Sequence, residues 1–151
     1  MSNTPKHEDD LSATHLWLVL WKAAHAVETH AHRSIARFGM GASDFGVLEA
    51  LLHKGPLTVK QLGEKVLLTS GSMTTAVDRL EKRGLVTRSN DASDRRARVI
   101  QLTTTGHETI SQAFTEHRIA LDRAMGGFPQ KERAALLPLL RQMGQIAEKN
   151  L

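Results

Sequence analysis

The chain has 151 residues, a formal net charge of +4 and a pI of about 9.8, and 40% of its residues are hydrophobic. This length and apolar content predict one compact domain rather than a disordered chain. There is no Cys, which excludes disulfides, thiol nucleophiles, thiol redox sensing and Cys-ligated zinc. There is also no Tyr, and with only four Phe and two Trp the chain is poor in the aromatics on which single-strand-binding modules stack bases.

The positive charge is concentrated in the middle of the sequence. Residues 54–98 hold ten Lys or Arg and five Asp or Glu, whereas the rest of the chain holds ten and eleven. A local basic region on an otherwise neutral protein indicates a polyanionic partner, most simply nucleic acid.

The sequence shows no pattern typical of a membrane span or a secretory signal. The N-terminal stretch is polar and acidic, and the longest unbroken apolar run, Leu16–Trp21, is far too short to cross a bilayer. We therefore expect a soluble cytoplasmic protein with no membrane partner.

The first predicted element is one long helix over residues 11–38, a stretch that is rich in Ala and contains neither Pro nor Gly. Its first half, from Leu16 to Val27, is apolar nearly all round, so more than one side of it must be covered. In a chain of this size the simplest cover is a second subunit, which predicts a homodimer.

Two short helices follow a Gly-containing break. Ser43 is placed to cap a second helix over residues 44–53. Thr58 and Gln61 form a capping box, which opens a third helix that ends near Val66.

A fourth helix follows a turn at residues 67–72 and ends near Arg83. Met73, Val77 and Leu80 are spaced four and three apart, which predicts one inward face. Gly84 suits the left-handed position just after a helix.

Strand-like segments at 85–88 and 96–103 flank a polar turn at 89–94 and predict a β-hairpin with a charged tip. A second capping box, Thr105 with Glu108, opens a helix to about Met125.

A last helix covers 130–150, with a kink expected at Pro138. These elements predict a mainly α fold with a small β-hairpin wing, organised as a single domain over 1–151. Residues 43–103 form a winged helix-turn-helix, and residues 11–38 with 105–150 form a helical dimerisation part.

The start of the fourth helix has the side chains expected of a DNA-reading helix. A recognition helix lies in the major groove and contacts base edges with its first residues, where short hydroxyl side chains permit close approach and a thioether can touch a thymine methyl. The candidates here are Ser70, Ser72, Met73, Thr74 and Thr75. Arg79 lies further along the helix and is expected to meet phosphate.

The hairpin tip carries the second group of candidates, because an Arg at a wing tip can enter the negatively charged minor groove. This group comprises Asp94, Arg95, Arg96 and Arg98. Asp94 is expected to orient the Arg96 guanidinium by a charge-assisted hydrogen bond. Lys82, Arg83 and Arg88 flank the hairpin base as further phosphate contacts. The alternatives are a solvated charged face, or a winged helix that binds an acidic protein.

Several motifs in this region resemble the MarR family of bacterial transcriptional regulators. They are the runs at 57–64, 68–73 and 78–86 and the Asp-Arg-Arg at 94–96, and the likeness covers about residues 16–106. The resemblance implies a homodimer on a pseudo-palindromic double-stranded DNA operator, usually a repressor that a small molecule or an oxidant releases. It places Ser70 and Ser72 at recognition positions and Asp94 and Arg96 at the wing pair. An effector-independent or architectural DNA-binding protein is the alternative.

The sequence departs from the family's organic-peroxide sensors in the first helix. Those sensors carry a reactive Cys where this chain has Trp17, and a Tyr where it has Trp21. The chain is therefore of a non-cysteine type.

Effectors in this family tend to bind between the dimerisation helices and the winged part. Trp17, Trp21 and His25 are spaced by four and share one helix face, with His32 and Arg33 nearby. Such a wall suits a small aromatic ligand such as a phenolate or carboxylate. The alternative is that the two Trp belong to the core or the dimer interface.

Two further hypotheses receive little support from the sequence. His25, Glu28 and His32 lie at i, i+3 and i+7 and resemble part of a zinc site, but scattered surface His residues are far commoner. No nucleophile elbow, phosphate-binding Gly-rich loop or dinucleotide fingerprint is present. We expect no metal, no cofactor and no enzymatic activity.

Overall fold

The computed structural model describes residues 10–66, 70–94 and 96–151, with Ser70 described in its backbone only. The helices are α1 (Ala13–Ala36), α2 (Ala42–Lys54), α3 (Val59–Lys65), α4 (Ser70–Lys82), α5 (Thr104–Ala124) and α6 (Gln130–Lys149). The strands are β1 (Leu57–Thr58), β2 (Val86–Asn90) and β3 (Arg98–Leu102). The mainly α fold with a small β wing is confirmed.

The sheet has one strand more than the sequence predicts. β1 and β2 both pair antiparallel with β3, in the order β1-β3-β2, with Leu57 opposite Ile100 and Val86 opposite Leu102. β1 is only two residues long, too short for an alternating pattern to show. It anchors the start of α3 to the base of the wing.

The helix caps agree with the sequence in α3 and differ in α2 and α5. Thr58 and Gln61 make both hydrogen bonds of the capping box. Ser43 is not the cap of α2, because the helix starts two residues earlier than predicted and Gly41 takes the cap position without a side-chain bond.

The cap of α5 is Thr103 rather than Thr105. Its hydroxyl accepts from the Gly106 N–H at 2.9 Å and donates to the Gly84 carbonyl at 2.7 Å. Thr103 thus caps α5 and ties its start to the turn after α4. Gly84 has a φ of 71°, which confirms its predicted left-handed position.

The hydrophobic core lies between α2, α4, the sheet and the first half of α5. Its largest fully buried side chains are Leu48, Leu62, Met73, Leu80, Ile100 and Ile110. α5 continues from this core along α1, so the long helix from the start of the chain packs against the first of the two helices at its end.

Two helices leave most of their apolar surface uncovered in the protomer. α6 has no buried residue and continues through Pro138 as one helix. In α1 only Ser34 and Ile35, near its end, are buried. None of the helices in the described parts of the chain is long and apolar enough to span a membrane.

Candidate nucleic-acid interface

One face of α4 is buried and the opposite face is exposed and polar. Met73, Ala76, Val77 and Leu80 are at most 1% exposed and face the core. The exposed face carries Ser72, Thr74, Thr75, Asp78 and Arg79. The Thr75 hydroxyl donates to the Gly71 carbonyl at 3.0 Å, one turn earlier in the helix.

The structure corrects one of the predicted base contacts. Met73 is 1% exposed, so its thioether packs in the core and does not reach the surface of α4. Its spacing to Val77 already placed it on the inward face. The side chain of Ser70 lies outside the described part of the structure, and its contact with DNA stays a prediction.

Arg79 makes an internal contact that the sequence analysis missed. Its Nε lies 3.0 and 2.9 Å from the two oxygens of Asp44, a carboxylate in the first turn of α2 whose side chain is 3% exposed. The hydrogen bonds that Arg79 donates to Asp44, together with the negative charge of Asp44, raise the pKa of Arg79. Arg79 therefore links α4 to α2, and 46% of its side chain remains exposed.

Arg83 extends the same cluster towards α1. Its guanidinium donates to the carbonyls of Gly39 and Phe38 at 3.0 and 3.1 Å, and Nη1 lies 3.9 Å from Asp44. These carbonyls belong to the turn that ends α1, where a cation is favourable because of the helix dipole. The structure gives Arg83 this internal role, which the sequence did not predict.

Arg88, another predicted phosphate contact, is paired within the protein. Its guanidinium pairs with both Asp78 and Glu81 of α4, and only 25% of its side chain is exposed. Burial lowers the pKa of Arg88, but hydrogen bonds and charge from these carboxylates outweigh burial and raise it overall. The Arg88 guanidinium therefore holds β2 against α4.

The wing tip is held together by two aspartates that accept backbone hydrogen bonds. Asp91 Oδ1 accepts from the Ser93 and Asp94 N–H groups at 2.7 and 3.1 Å, and from the Ser93 hydroxyl at 2.5 Å. Hydrogen bonds from Ser93 lower the pKa of Asp91, which favours the carboxylate. In the sequence, Asp91 is only one of several residues in a polar turn.

Asp94 holds the wing differently from the prediction. Its Oδ1 accepts from the backbone N–H of Arg96 at 2.9 Å, so it orders the backbone of Arg96 rather than the guanidinium. A short carboxylate reaches the amide two residues on more readily than the end of a long side chain. Arg96 and Arg98 are exposed on the wing, and Arg95 lies outside the described residues.

Of the candidate effector residues, Trp21 and His25 lie against each other on α1, but none of the five is enclosed in the protomer. Trp17 and Trp21 are 60% and 54% exposed, which excludes a place in the protomer core. Trp21 and His25 are stacked with ring centroids 6.4 Å apart, as their spacing predicts. His32 and Arg33 are exposed on the same helix.

His25 and His32 lie close to one carboxylate of α1, that of Glu28, rather than forming a chelating group. Glu28 lies 3.8 Å from His25 Nδ1 and 3.6 Å from His32 Nε2, and all three side chains are more than half exposed. Among the described residues, no group of three His, Asp or Glu is arranged to hold a metal ion.

The architecture is that of a winged helix-turn-helix: α3 and α4 form the helix pair, and β2 and β3 form the wing. The family model for the MarR family matches residues 42–97, which run from α2 to the wing. The HTH-type transcriptional regulator MhqR of Bacillus subtilis (strain 168) is 32% identical over 134 residues, which cover 89% of this chain and 92% of that protein. The chain belongs to the MarR family.

Solved structures agree with this assignment. The DNA complex of Sco3205, a MarR family regulator from Streptomyces coelicolor, has a TM-score of 0.80 and 27% identity, covering 89% of this chain and 92% of that one. BpsR of Bordetella bronchiseptica, whose DNA binding is regulated by 6-hydroxynicotinic acid, shares the fold with a TM-score of 0.75 at 24% identity, covering 93% and 98%. The protein is a DNA-binding transcriptional regulator and not an enzyme.

Proposed function

We propose that the protein acts as a homodimeric repressor of a pseudo-palindromic operator and that a small aromatic ligand releases it. The observation that carries the dimer is α6: a helix of 20 residues with no buried residue, which exposes a row of leucines. α1 adds Leu16, Trp17, Val19 and Trp21, each at least half exposed. Apolar surface on this scale is expected to be covered, and a second copy presents the same surface in return.

The proposed DNA contacts and the proposed dimer contacts lie on different elements. Residues 43–103 carry the DNA-binding surface, with Ser72, Thr74 and Thr75 on the exposed face of α4 and Arg96 and Arg98 on the wing. Residues 11–38 and 105–150 carry the dimer contacts. A two-fold dimer places two α4 helices in successive major grooves, so each half-site lies about 10 base pairs from the other.

The experiment that tests this function is a pair of titrations of the purified protein. Fluorescence anisotropy compares the DNA upstream of its own gene with a scrambled duplex, at low and at physiological salt, and sedimentation gives the oligomeric state. A dimer that keeps its preference at physiological salt supports the proposal. Equal, salt-labile binding to both duplexes contradicts a site-specific repressor at that site, and a monomer contradicts the dimer.

The proposed ligand site lies at the aromatic face of α1, beside Trp17, Trp21 and His25. BpsR shows that this fold can couple a small aromatic acid to DNA binding. Since Trp17 and Trp21 are the two Trp of the chain, their fluorescence reports on this face directly. Titration with simple phenolates and hydroxybenzoates is expected to change the emission and to release the operator over the same concentration range. Release without any change in the emission of either tryptophan would place the ligand elsewhere.

A further inference from the structure

A cluster of one carboxylate and two guanidinium groups joins the helix that faces DNA to the end of the long first helix. Asp44 is buried in the first turn of α2, with its side chain 3% exposed. Arg79 approaches it from α4, and Arg83, one turn later, approaches it from just after the end of α4. In the described parts of the chain no buried side-chain nitrogen or oxygen lacks a partner, so the carboxylate is fully satisfied here.

The geometry of this cluster restricts orientation as well as distance. The Arg79 Nε lies within 3.0 Å of both Asp44 oxygens, and Nη2 reaches Oδ1 and, at 3.4 Å, the Ser43 hydroxyl. A planar guanidinium held by several hydrogen bonds on a buried carboxylate has little freedom to tilt. The last turns of α4 are therefore fixed to the first turn of α2.

Arg83 carries the connection on to α1. It donates to the Phe38 and Gly39 carbonyls, and Gly39 has a φ of 66° in the turn that ends α1. A Cβ at Gly39 would lie 3.7 Å from Arg83 Nη2, so the guanidinium lies directly against this turn. One cluster thus links α4, α2 and the end of the helix whose first half carries the exposed apolar surface.

We propose that Asp44, Arg79 and Arg83 are positioning residues that fix α4 relative to α1 and thereby set the separation of the two α4 helices on DNA. This inference rests on the proposed homodimer, because the separation has meaning only with two subunits. The dimer surface lies on α1 and α6, and the DNA surface lies on α4 and the wing. The cluster is a direct polar contact between the two parts, beside the continuous backbone that runs from β3 into α5.

The test is the dependence of binding on half-site spacing, which a loss of stability does not change. Operators are made with the native spacing and with one base pair inserted or removed, and a single half-site duplex is included. Asp44→Asn removes the negative charge at the centre of the cluster with little change in side-chain size. Arg83→Met removes the link to α1 and leaves Asp44 paired with Arg79.

Each variant has a matched control on the same part of the molecule. Asp78→Asn makes the same change in charge at a carboxylate that pairs α4 with Arg88 of β2, inside the DNA-binding part. Lys82→Met removes the same charge as Arg83→Met from the neighbouring exposed position. Sedimentation and thermal unfolding establish that each protein is folded and dimeric.

We expect wild type to prefer its native spacing by about tenfold, the order of discrimination typical of a mismatched contact. Asp44→Asn and Arg83→Met should reduce that preference at least about threefold and leave binding to the single half-site unchanged, whereas both controls keep the preference. If Asp44→Asn does not fold, the spacing preference of Arg83→Met tests the inference by itself.

Two results overturn the inference in distinguishable ways. Folded, dimeric variants that retain the wild-type spacing preference would contradict the positioning role and leave the proposed dimer intact. A wild-type protein that is monomeric, or that is indifferent to spacing, would overturn the proposed homodimer on two half-sites, and the positioning role would fail with it.

Discussion

Asp91 and Asp94 show how acidic residues contribute to a surface that must attract DNA. Both use carboxylate oxygens to accept backbone N–H groups at the wing tip, so their charges hold the loop in shape. Asp78 and Glu81 similarly hold Arg88. Arg96 and Arg98 remain exposed on the described part of the wing, and we expect them to contact DNA.

Replacement of Arg96 by alanine should weaken operator binding without affecting assembly. We expect a loss of about 1–3 kcal/mol in operator affinity, because an arginine contact with DNA is removed while Asp94 can still accept the backbone N–H of residue 96. Anisotropy titration measures the loss, and sedimentation checks the dimer. Lys131→Ala is the matched control, since it removes one charge beyond the far end of α5, a helix of 21 residues or about 30 Å. Unchanged operator affinity in Arg96→Ala would contradict the wing assignment.

Two glycines inside helices are expected to respond oppositely to the same substitution. A Cβ at Gly106 would lie 1.8 Å from the Leu85 carbonyl oxygen, whereas a Cβ at Gly63 meets no atom within 4 Å. Gly106→Ala should therefore destabilise the protein by about 3 kcal/mol or more, because backbone must move. Gly63→Ala should stabilise α3 by about 0.5–1 kcal/mol, since Ala is the better helix former. Urea unfolding at one fixed protein concentration measures both, and a neutral Gly106→Ala would contradict the close packing of α5 on Leu85.

At the scale of the elements, α1, α2 and α5 meet around His117. The Ser34 hydroxyl donates to the Ala31 carbonyl at 2.7 Å and accepts from His117 Nδ1 at 2.8 Å. The imidazole also packs on Phe45, with ring centroids 4.6 Å apart. Burial lowers the pKa of His117 from its ordinary value of 6.5, and the nearby Glu49 only partly opposes this effect. The contact between the three helices is therefore built around a neutral imidazole.

The lowered pKa of His117 predicts that the protein loses stability as the pH falls. Above pH 6.5 the imidazole is neutral in both the folded and the unfolded chain, and its contribution is fully present. Below that pH the unfolded chain binds the proton more readily, so the free energy of unfolding decreases towards the folded-state pKa.

The measurement is urea unfolding at several pH values between about 5 and 8, the range in which His titrates. His117→Asn should reduce the dependence of the free energy of unfolding on pH. His107→Asn, at an exposed position on the same helix, should leave that dependence as in wild type. Identical slopes in wild type and His117→Asn would show that His117 does not titrate differently in the folded protein.

For the whole molecule, the separation of apolar surface from charged surface is the dominant feature. The large exposed hydrophobic side chains lie mainly on α1 and α6, whereas Arg96, Arg98 and the polar face of α4 lie in the winged part. The core of the winged part is complete within one chain, as the fully buried Leu48, Leu80 and Ile100 show. Folding of that part and the dimerisation that we propose thus depend on different sets of residues.

A charge placed on the exposed face of α6 should weaken the dimer. Leu139 is 61% exposed in the protomer, and Leu139→Glu would bury a carboxylate in the proposed interface at a cost of several kcal/mol. Sedimentation velocity across a range of concentrations should show a shift towards monomer, with a parallel loss of operator binding. Gln112→Glu adds the same charge at an exposed position of α5 and should remain dimeric. A Leu139→Glu protein that is as dimeric as wild type would place the interface elsewhere.

The helices and the wing were predictable because they depend on short-range patterns. The Thr58 capping box, the left-handed Gly84 and the inward spacing of Met73, Val77 and Leu80 are local features, and each has its predicted structural role. The motifs at 78–86 and 94–96 indicated the family, and the matching family model spans the same region. Charge density in residues 54–98 already indicated an anionic partner.

The roles of individual charges depend on neighbours that are distant in sequence. Arg79 and Asp44 are 35 residues apart, and Arg83 lies 44 and 45 residues from the carbonyls it contacts, so no local pattern pairs them. β1 was not predicted for the same reason, because α3, α4 and β2 separate it from its partner β3 in the sequence. By itself the sequence determined the helices, the turns and the basic region, since these follow from residues within a few positions of each other. Only the tertiary structure decided which arginines are held by carboxylates and which stay exposed on the surface, because a buried carboxylate must be paired by whichever cation the fold brings to it.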